Sequence, residues 1–261
     1  MNILILSPHR DDAAFSLGLA IKGWLAAGHG VTVLGIFTRS LSAPFSDADT
    51  VHPNDLLTYV SAMRRREDAE FLKLVPGLRM VDLNLKDALL RLRSTAEEVY
   101  TLAPNPEDTA IAKIHKALAK LVAEPKSAEQ KIDAILLPLA LGHHVDHLVV
   151  RNAAAAFAAE HPCAFYEDLP DAFQPNLDLA ELARAEIDAL REANLFTEML
   201  EPVVLHASEE AENAAKVKRR IVSVYASQID EATIAAMSSF ATNYAGGERV
   251  WANPAWLASA L

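Results

Sequence analysis

A single cysteine, Cys163, stands in a chain of 261 residues. An intramolecular disulfide and a cysteine-based zinc site are both excluded. The lone thiol falls in the apolar run Cys163-Ala164-Phe165-Tyr166 and reads as a small buried hydrophobe, not a nucleophile. Positive charge is also scarce: 24 Lys and Arg against 35 Asp and Glu give a net charge of −11. That balance opposes binding to nucleic acid or an anionic membrane, both of which need a clustered basic surface. The one basic run, Arg64-Arg65-Arg66, is followed at once by Glu67 and Asp68, as on a solvated helix face. No apolar run is long enough to span a bilayer, and the alanine-rich stretch 153–159 is short. Neither a basic leader nor a cleavage site precedes the apolar run that begins at Asn2, so a cytoplasmic location is expected.

What is present is ordinary for a folded α/β protein: 51% hydrophobic and 23% charged residues, enough for a substantial core. Apolar and β-branched runs predict strands at 2–7, 31–38, 79–83 and 132–139. Helical periodicity covers 15–27, 55–74, 107–122 and 148–159, with Gly28 near the first C-cap and Pro76-Gly77 ending the second. Residues 39–54 carry Ser, Asp, Pro and His without periodicity and form a long loop of the kind that tends to be functional. The stretch 85–106 fits either state. Strand–helix alternation to about Tyr166 implies a mainly parallel, doubly wound sheet in a Rossmann-like three-layer sandwich. Beyond Pro170 the pattern changes to helices at 177–200 and 209–226 with a strand at 203–205. The chain is therefore expected as one domain, 1–261, with an α/β core over 1–170 and a C-terminal elaboration over 171–261.

Two clusters carry the chemistry. His9-Arg10-Asp11-Asp12 follows the apolar run Ile3-Leu4-Ile5-Leu6, and His143-His144-Val145-Asp146-His147 follows Ile135-Leu136-Leu137-Pro138-Leu139. Ligands in open α/β sheets gather beyond the carboxyl ends of the strands, where both clusters sit. Two histidines and a carboxylate form a ligand set for catalytic zinc that leaves a position open for water, and His9, Asp12 and His147 supply one. Asp11, left over beside a ligand, has the reach of a general base. Asp146 can orient a histidine, and His144, if protonated, can stabilise an oxyanion or protonate a leaving amine. The competing reading makes Asp11-Asp12 a helix N-cap and the histidines a solvated turn. Against it, three of the chain's nine histidines fall between positions 143 and 147, directly behind a strand. His52, in the long loop, has only its position to bring it near a substrate.

These residues resemble the PIG-L (LmbE-like) family of metal-dependent sugar N-deacetylases. Its first motif, Pro-His-Pro-Asp-Asp-Glu after strand one, is matched by Pro8-His9-Arg10-Asp11-Asp12-Ala13, and its His-x-Asp-His motif by His144-Val145-Asp146-His147. Arg64-Arg65-Arg66-Glu67 looks like its Arg-x-x-Glu helix, and Tyr166-Glu167-Asp168-Leu169-Pro170 like its Tyr-Glu-Asp-x-Pro stretch. Lys218 through Tyr225-Ala226-Ser227-Gln228, and Gly247-Glu248-Arg249-Val250-Trp251, resemble its later segments in order and spacing. The resemblance implies zinc, or another divalent metal such as Fe2+, on His9, Asp12 and His147, with Asp11 as base. It implies His144 as acid or oxyanion stabiliser with Asp146 as its partner, and Arg64 as a contact to a sugar or phosphate group. Arg64 has an alternative as a helix-surface partner of Asp68 at i+4. Arg10 replaces the motif's second proline and adds a charge near the site, a further candidate substrate contact, while Ala13 replaces its glutamate. The implied activity is removal of an N-acyl group, acetyl foremost, from an amino sugar or its glycoconjugate. The rivals are a silent sugar or nucleotide binder and a hydrolase of another amide or ester.

Overall fold

The computed structural model describes residues 1–123, 131–172, 178–206 and 211–259. Strand β1 (Asn2–Ser7) is flanked by β2 (Gly30–Gly35) on one side and β4 (Ala134–Pro138) on the other, both parallel to it. Ile3 to Leu6 are wholly buried, which is why the run is continuous rather than alternating: helices cover both faces of the sheet. Burying each of these side chains contributes about 1.5–3 kcal/mol. Beyond β2 lies β3 (Arg79–Asp82), and beyond β4 lies β5 (Cys163–Tyr166), giving a parallel block of five strands.

Two further strands, β6 (Glu201–His206) and β7 (Gly247–Ala252), extend the same sheet to the order β3-β2-β1-β4-β5-β7-β6. β7 runs antiparallel to both β5 and β6. The C-terminal third is thus built into the sheet. Among the described residues, no helix is long and apolar enough to cross a membrane.

The helices that bear on the site are α1 (Asp12–Ala26), α2 (Pro53–Leu74), α3 (Ala88–Arg91) and, after α4 (Thr109–Leu118), α5 (Val145–Ala158). The C-terminal helices are α6 (Leu179–Glu192), α7 (Ala211–Val222), α8 (Glu231–Phe240) and α9 (Pro254–Leu257). Helix α7 packs closely on α1, since a Cβ on Gly18 would lie 2.9 Å from Ile221 Cγ2. Beside that contact Lys218 is buried in an ion pair with Glu248 of β7. Glu248 also accepts from the backbone N–H groups of Leu19 and Ala20 at 3.2 and 2.9 Å.

Several boundaries differ from the sequence expectation. β2 ends at Gly35 instead of residue 38, because the chain bends across the end of β1, with Ile36 N–H and Phe37 N–H donating to the carbonyls of Ser7 and Pro8. Helix α5 begins at Val145, not residue 148, so the second cluster forms its first turn. Helix α6 stops at Glu192, and Asn194, at φ 57°, turns the chain toward β6. Leu177 and Glu209, the expected starts of the last two helices, lie outside the described residues.

Candidate active site

The sheet order reverses at β1 and β4, and the two clusters leave the carboxyl ends of these neighbouring strands. The turn after β1 is shaped by Ser7, whose hydroxyl donates to His9 O at 2.6 Å and accepts from Ala13 N–H at 3.1 Å. His9 and Asp12 are thereby folded onto each other, with His9 N–H donating to Asp12 Oδ2 at 2.6 Å. Asp11 does occupy the N-cap position of α1, yet its side chain makes no capping bond. It reaches Arg64 instead.

His9 Nδ1 and His147 Nε2 each lie 3.4 Å from Asp12 Oδ2. Zinc bonds of about 2.0–2.1 Å in tetrahedral geometry place neighbouring ligand atoms roughly 3.3–3.4 Å apart, so the spacing fits such an ion. The opposite nitrogen of each histidine meets a carboxylate. His9 Nε2 is 3.1 Å from Asp146 Oδ2, and His147 Nδ1 is 2.6 Å from Asp168 Oδ1. In the neutral rings a metal needs, these contacts would hold the hydrogen on the outer nitrogen and free His9 Nδ1 and His147 Nε2 as ligand atoms beside Asp12. Burial opposes charge on His147, but Asp12 and Asp168 outweigh it and hold the imidazole up at about 9. Asp12 is held well below the ordinary carboxylate range, against burial, by His147 and His9. The cluster favours positive charge where the three ligand atoms converge.

His9, His144 and Asp146 form a second group with close ligand atoms. Its members are otherwise committed. Asp146 accepts Ala88 N–H at 2.9 Å and pairs with Arg91 at 2.9 Å, and His144 Nδ1 caps α5 by accepting Asp146 N–H at 3.1 Å. Here the structure corrects the sequence reading, in which the Asp146 carboxylate partners His144. The carboxylate points to His9, and only the backbone of Asp146 meets His144. The imidazole of His144 is pushed down to about 3, by burial first and then by His9 and His147. It is therefore neutral, with its hydrogen on Nε2, and not the protonated ring that is one expectation from the sequence.

Arg64 projects from α2 into the site with Nη2 2.7 Å from Asp11 Oδ1, and it is buried. The alternative i+4 pair with Asp68 is absent because Asp68 is engaged by Arg10. The same observation corrects Arg10 as a substrate contact. Its buried guanidinium is held by Asp68 and by Asp82 at 2.5 Å, and it points away from the cavity holding His9 and Asp11. Ala13 lies in the hydrophobic core. His52 caps α2, its Nδ1 accepting Asn54 N–H at 3.2 Å, and does not line the cavity.

That cavity, about 330 Å³, joins the two clusters to residues the sequence reading had not singled out. Ser40, Ser42 and Pro44 bring in the start of the long loop, while Tyr100 and Asp171 form another wall. Tyr100 packs edge-on against the His144 ring at 5.3 Å. Asp171 lies beside Tyr100 and makes no ion pair among the described residues, and burial pushes its carboxyl up to about 6. Gly142 makes room for it: at φ 86°, a Cβ there would lie 2.6 Å from Asp171 Cβ. Among the described residues five aspartates line the cavity (11, 12, 87, 146 and 171), and the one arginine there is already paired with Asp11.

Residues 4–158 match the family model described as PIG-L, GlcNAc-PI de-N-acetylase. The chain belongs to the PIG-L family. A curated relative, the 2'-N-acetylparomamine deacetylase of Streptomyces fradiae, is 31% identical over 234 residues, covering 87% of this chain and 74% of its own. Among solved structures, a teicoplanin deacetylase in a zinc-inhibited form superposes with a TM-score of 0.65 at 19% identity, over 97% of both chains. An A40926 pseudoaglycone deacetylase gives 0.62 at 22% identity, over 98% of both. At these identities the structural likeness establishes a shared fold, over 97–98% of the chain. The PIG-L motifs noted in the sequence are contacts in the fold. Glu67 accepts Ser227 N–H and its hydroxyl, both at 2.9 Å, and Glu167 accepts from Arg249, Tyr244 and Trp251.

Proposed function

We propose that this protein is a zinc-dependent N-deacetylase of N-acetylated amino sugars, with substrates that carry further amino groups. The observation that carries the reading is the pair of 3.4 Å spacings about Asp12, with the buried Asp11–Arg64 pair in the same cavity. A zinc ion held by His9, Asp12 and His147 would supply Lewis acidity, polarising the amide carbonyl and acidifying a water molecule. Asp11 accepts the proton of the attacking water, its carboxylate oriented by Arg64. His144, neutral and with hydrogen on Nε2, donates to the carbonyl oxygen as negative charge develops there. The C–N bond then breaks, the proton returns from Asp11 to the nitrogen, and acetate and the free amine leave. Asp146 and Asp168 keep His9 and His147 in the orientation described above.

The substrate class rests on the cavity's charge. With Arg64 engaged, Asp171 faces the cavity without a cation, which favours an ammonium group and disfavours a phosphate. The 31% identical relative, a 2'-N-acetylparomamine deacetylase, is in keeping with that chemistry. The silent-binder reading drew on Arg10 and Ala13, and neither reaches this cavity. Zinc-loaded protein is expected to release acetate from N-acetylparomamine, and more slowly from a neutral N-acetylglucosaminide. Folded, zinc-loaded protein that releases acetate from neither overturns the reading.

A further inference from the structure

A second cavity, of about 310 Å³, opens beyond the carboxyl ends of β2 and β3 and is walled on one side by Leu57, Thr58, Ser61 and Arg65 of α2. Its chemistry is the reverse of the first. Among the described residues Arg10, Arg39 and Arg65 line it, and no carboxylate does. Arg10 is fully used by Asp68 and Asp82, whereas Arg39 and Arg65 are exposed and make no ion pair among the described residues. In a chain of net charge −11, two uncompensated arginines facing one pocket are out of keeping with the surface at large. Thr38 and Ser61 also line it, and their hydroxyls, closed off from solvent, have no hydrogen-bond partner among the described residues. Unmatched buried hydroxyls call for a partner, since leaving them unpaired carries a desolvation cost. Thr58, Ser61 and Arg65 share one face of α2, at spacings of three and four residues.

We propose that this cavity binds a phosphate-class oxyanion, held between the guanidinium groups of Arg39 and Arg65 and the hydroxyl-bearing wall. Planar forks of donors on two sides suit a tetrahedral anion, whether inorganic phosphate or the phosphoryl group of a small metabolite. The two cavities also share walls. Arg39 is followed by Ser40, Arg65 is preceded by Arg64, and Arg10 is followed by Asp11, and in each case the neighbour lines the first cavity. An anion bridging Arg39 and Arg65 would tie the start of the long loop to α2, and with it two walls of the first cavity. The binding claim itself stands apart from the deacetylase reading.

Calorimetric titration of the metal-free protein with inorganic phosphate, at constant ionic strength in chloride, tests it. Saturable binding is expected, weakened roughly tenfold or more in an Arg39→Gln/Arg65→Gln variant, the loss appropriate to two charge-assisted contacts. A parallel titration with glucose 6-phosphate distinguishes the sources: tighter binding than inorganic phosphate assigns the site to a phosphate ester, and weaker binding to the free ion. Three outcomes overturn the proposal: no saturable binding to metal-free protein, equal affinity in parent and variant, or binding that appears only once zinc is added. Both substituted side chains are exposed, so the variant is expected to fold as the parent does, with matching thermal unfolding as the check.

Discussion

Arg64 Nη2 lies 2.7 Å from Asp11 Oδ1, and both side chains are buried at the wall of the cavity that holds the candidate metal ligands. A carboxylate that must take a proton from water in one direction benefits from a partner that fixes its free oxygen. In the proposed mechanism Arg64 is a positioning residue, and removing it should act on the chemical step. Arg64→Gln is expected to lower kcat by roughly tenfold or more with little change in KM, whereas Asp11→Asn should lower it by about 10²–10⁴. A rise in KM at constant kcat for Arg64→Gln would return Arg64 to the role of substrate contact.

Asp168 holds His147 Nδ1 at 2.6 Å and is expected to set the tautomer and basicity of that histidine. Asp168→Asn should weaken zinc affinity about 10–100-fold, read by competition with a chromogenic chelator. Asp168 also accepts Leu141 N–H at 3.1 Å, so thermal unfolding of the variant must be followed alongside. Zinc affinity equal to the parent's would remove Asp168 from the site.

Burial raises the Asp171 carboxyl to about 6, so ionisation in the cavity occurs above the usual carboxylate range. Only the ionised form attracts an ammonium group, and amines on the substrate remain charged at this pH. KM for a substrate with additional amines should fall as pH rises through about 6, and this fall should vanish in Asp171→Asn. The ratio of kcat/KM for N-acetylparomamine to that for a neutral N-acetylglucosaminide should drop in the same variant. An unchanged ratio would separate Asp171 from substrate choice.

The Lys218–Glu248 pair is buried between α1, α7 and β7. Breaking it leaves a charge unpaired in the interior. Lys218→Met is expected to destabilise by about 3–5 kcal/mol, seen as a lower midpoint in urea, and adding Glu248→Gln should recover part of the loss. Cys163 gives a gentler test of the same sheet. Burial pushes its thiol up to about 12, so native protein should resist a thiol reagent at pH 8 and react only on unfolding.

The sequence made the parallel core legible because buried strands such as Ile3-Leu4-Ile5-Leu6 are uninterrupted apolar runs, and the two clusters legible because they stand directly behind such runs. Helix ends were less readable. His144 as an N-cap and Asn194 at positive φ are local geometries that periodicity does not encode. Side-chain partners across the fold were less readable still. Arg10 and Arg64 look equivalent near the motif, yet one enters the cavity and the other is drawn away by Asp68 and Asp82, strands and helices distant in sequence. Asp168 stood in a noted stretch without a role, while Tyr100 and Asp171 carried no spacing signal. Gly142 leaves the room that the Asp171 side chain takes.

The central claim is that His9, Asp12 and His147 hold one catalytic metal ion. Elemental analysis of the purified parent protein and of His147→Ala, each matched for folding by circular dichroism, tests it most directly. The parent should carry about one equivalent of zinc or another divalent transition metal, and the variant much less, because three protein ligands are needed to hold it. Equal metal content in the two folded proteins, or a parent that takes up no metal even when zinc is supplied, would contradict the account.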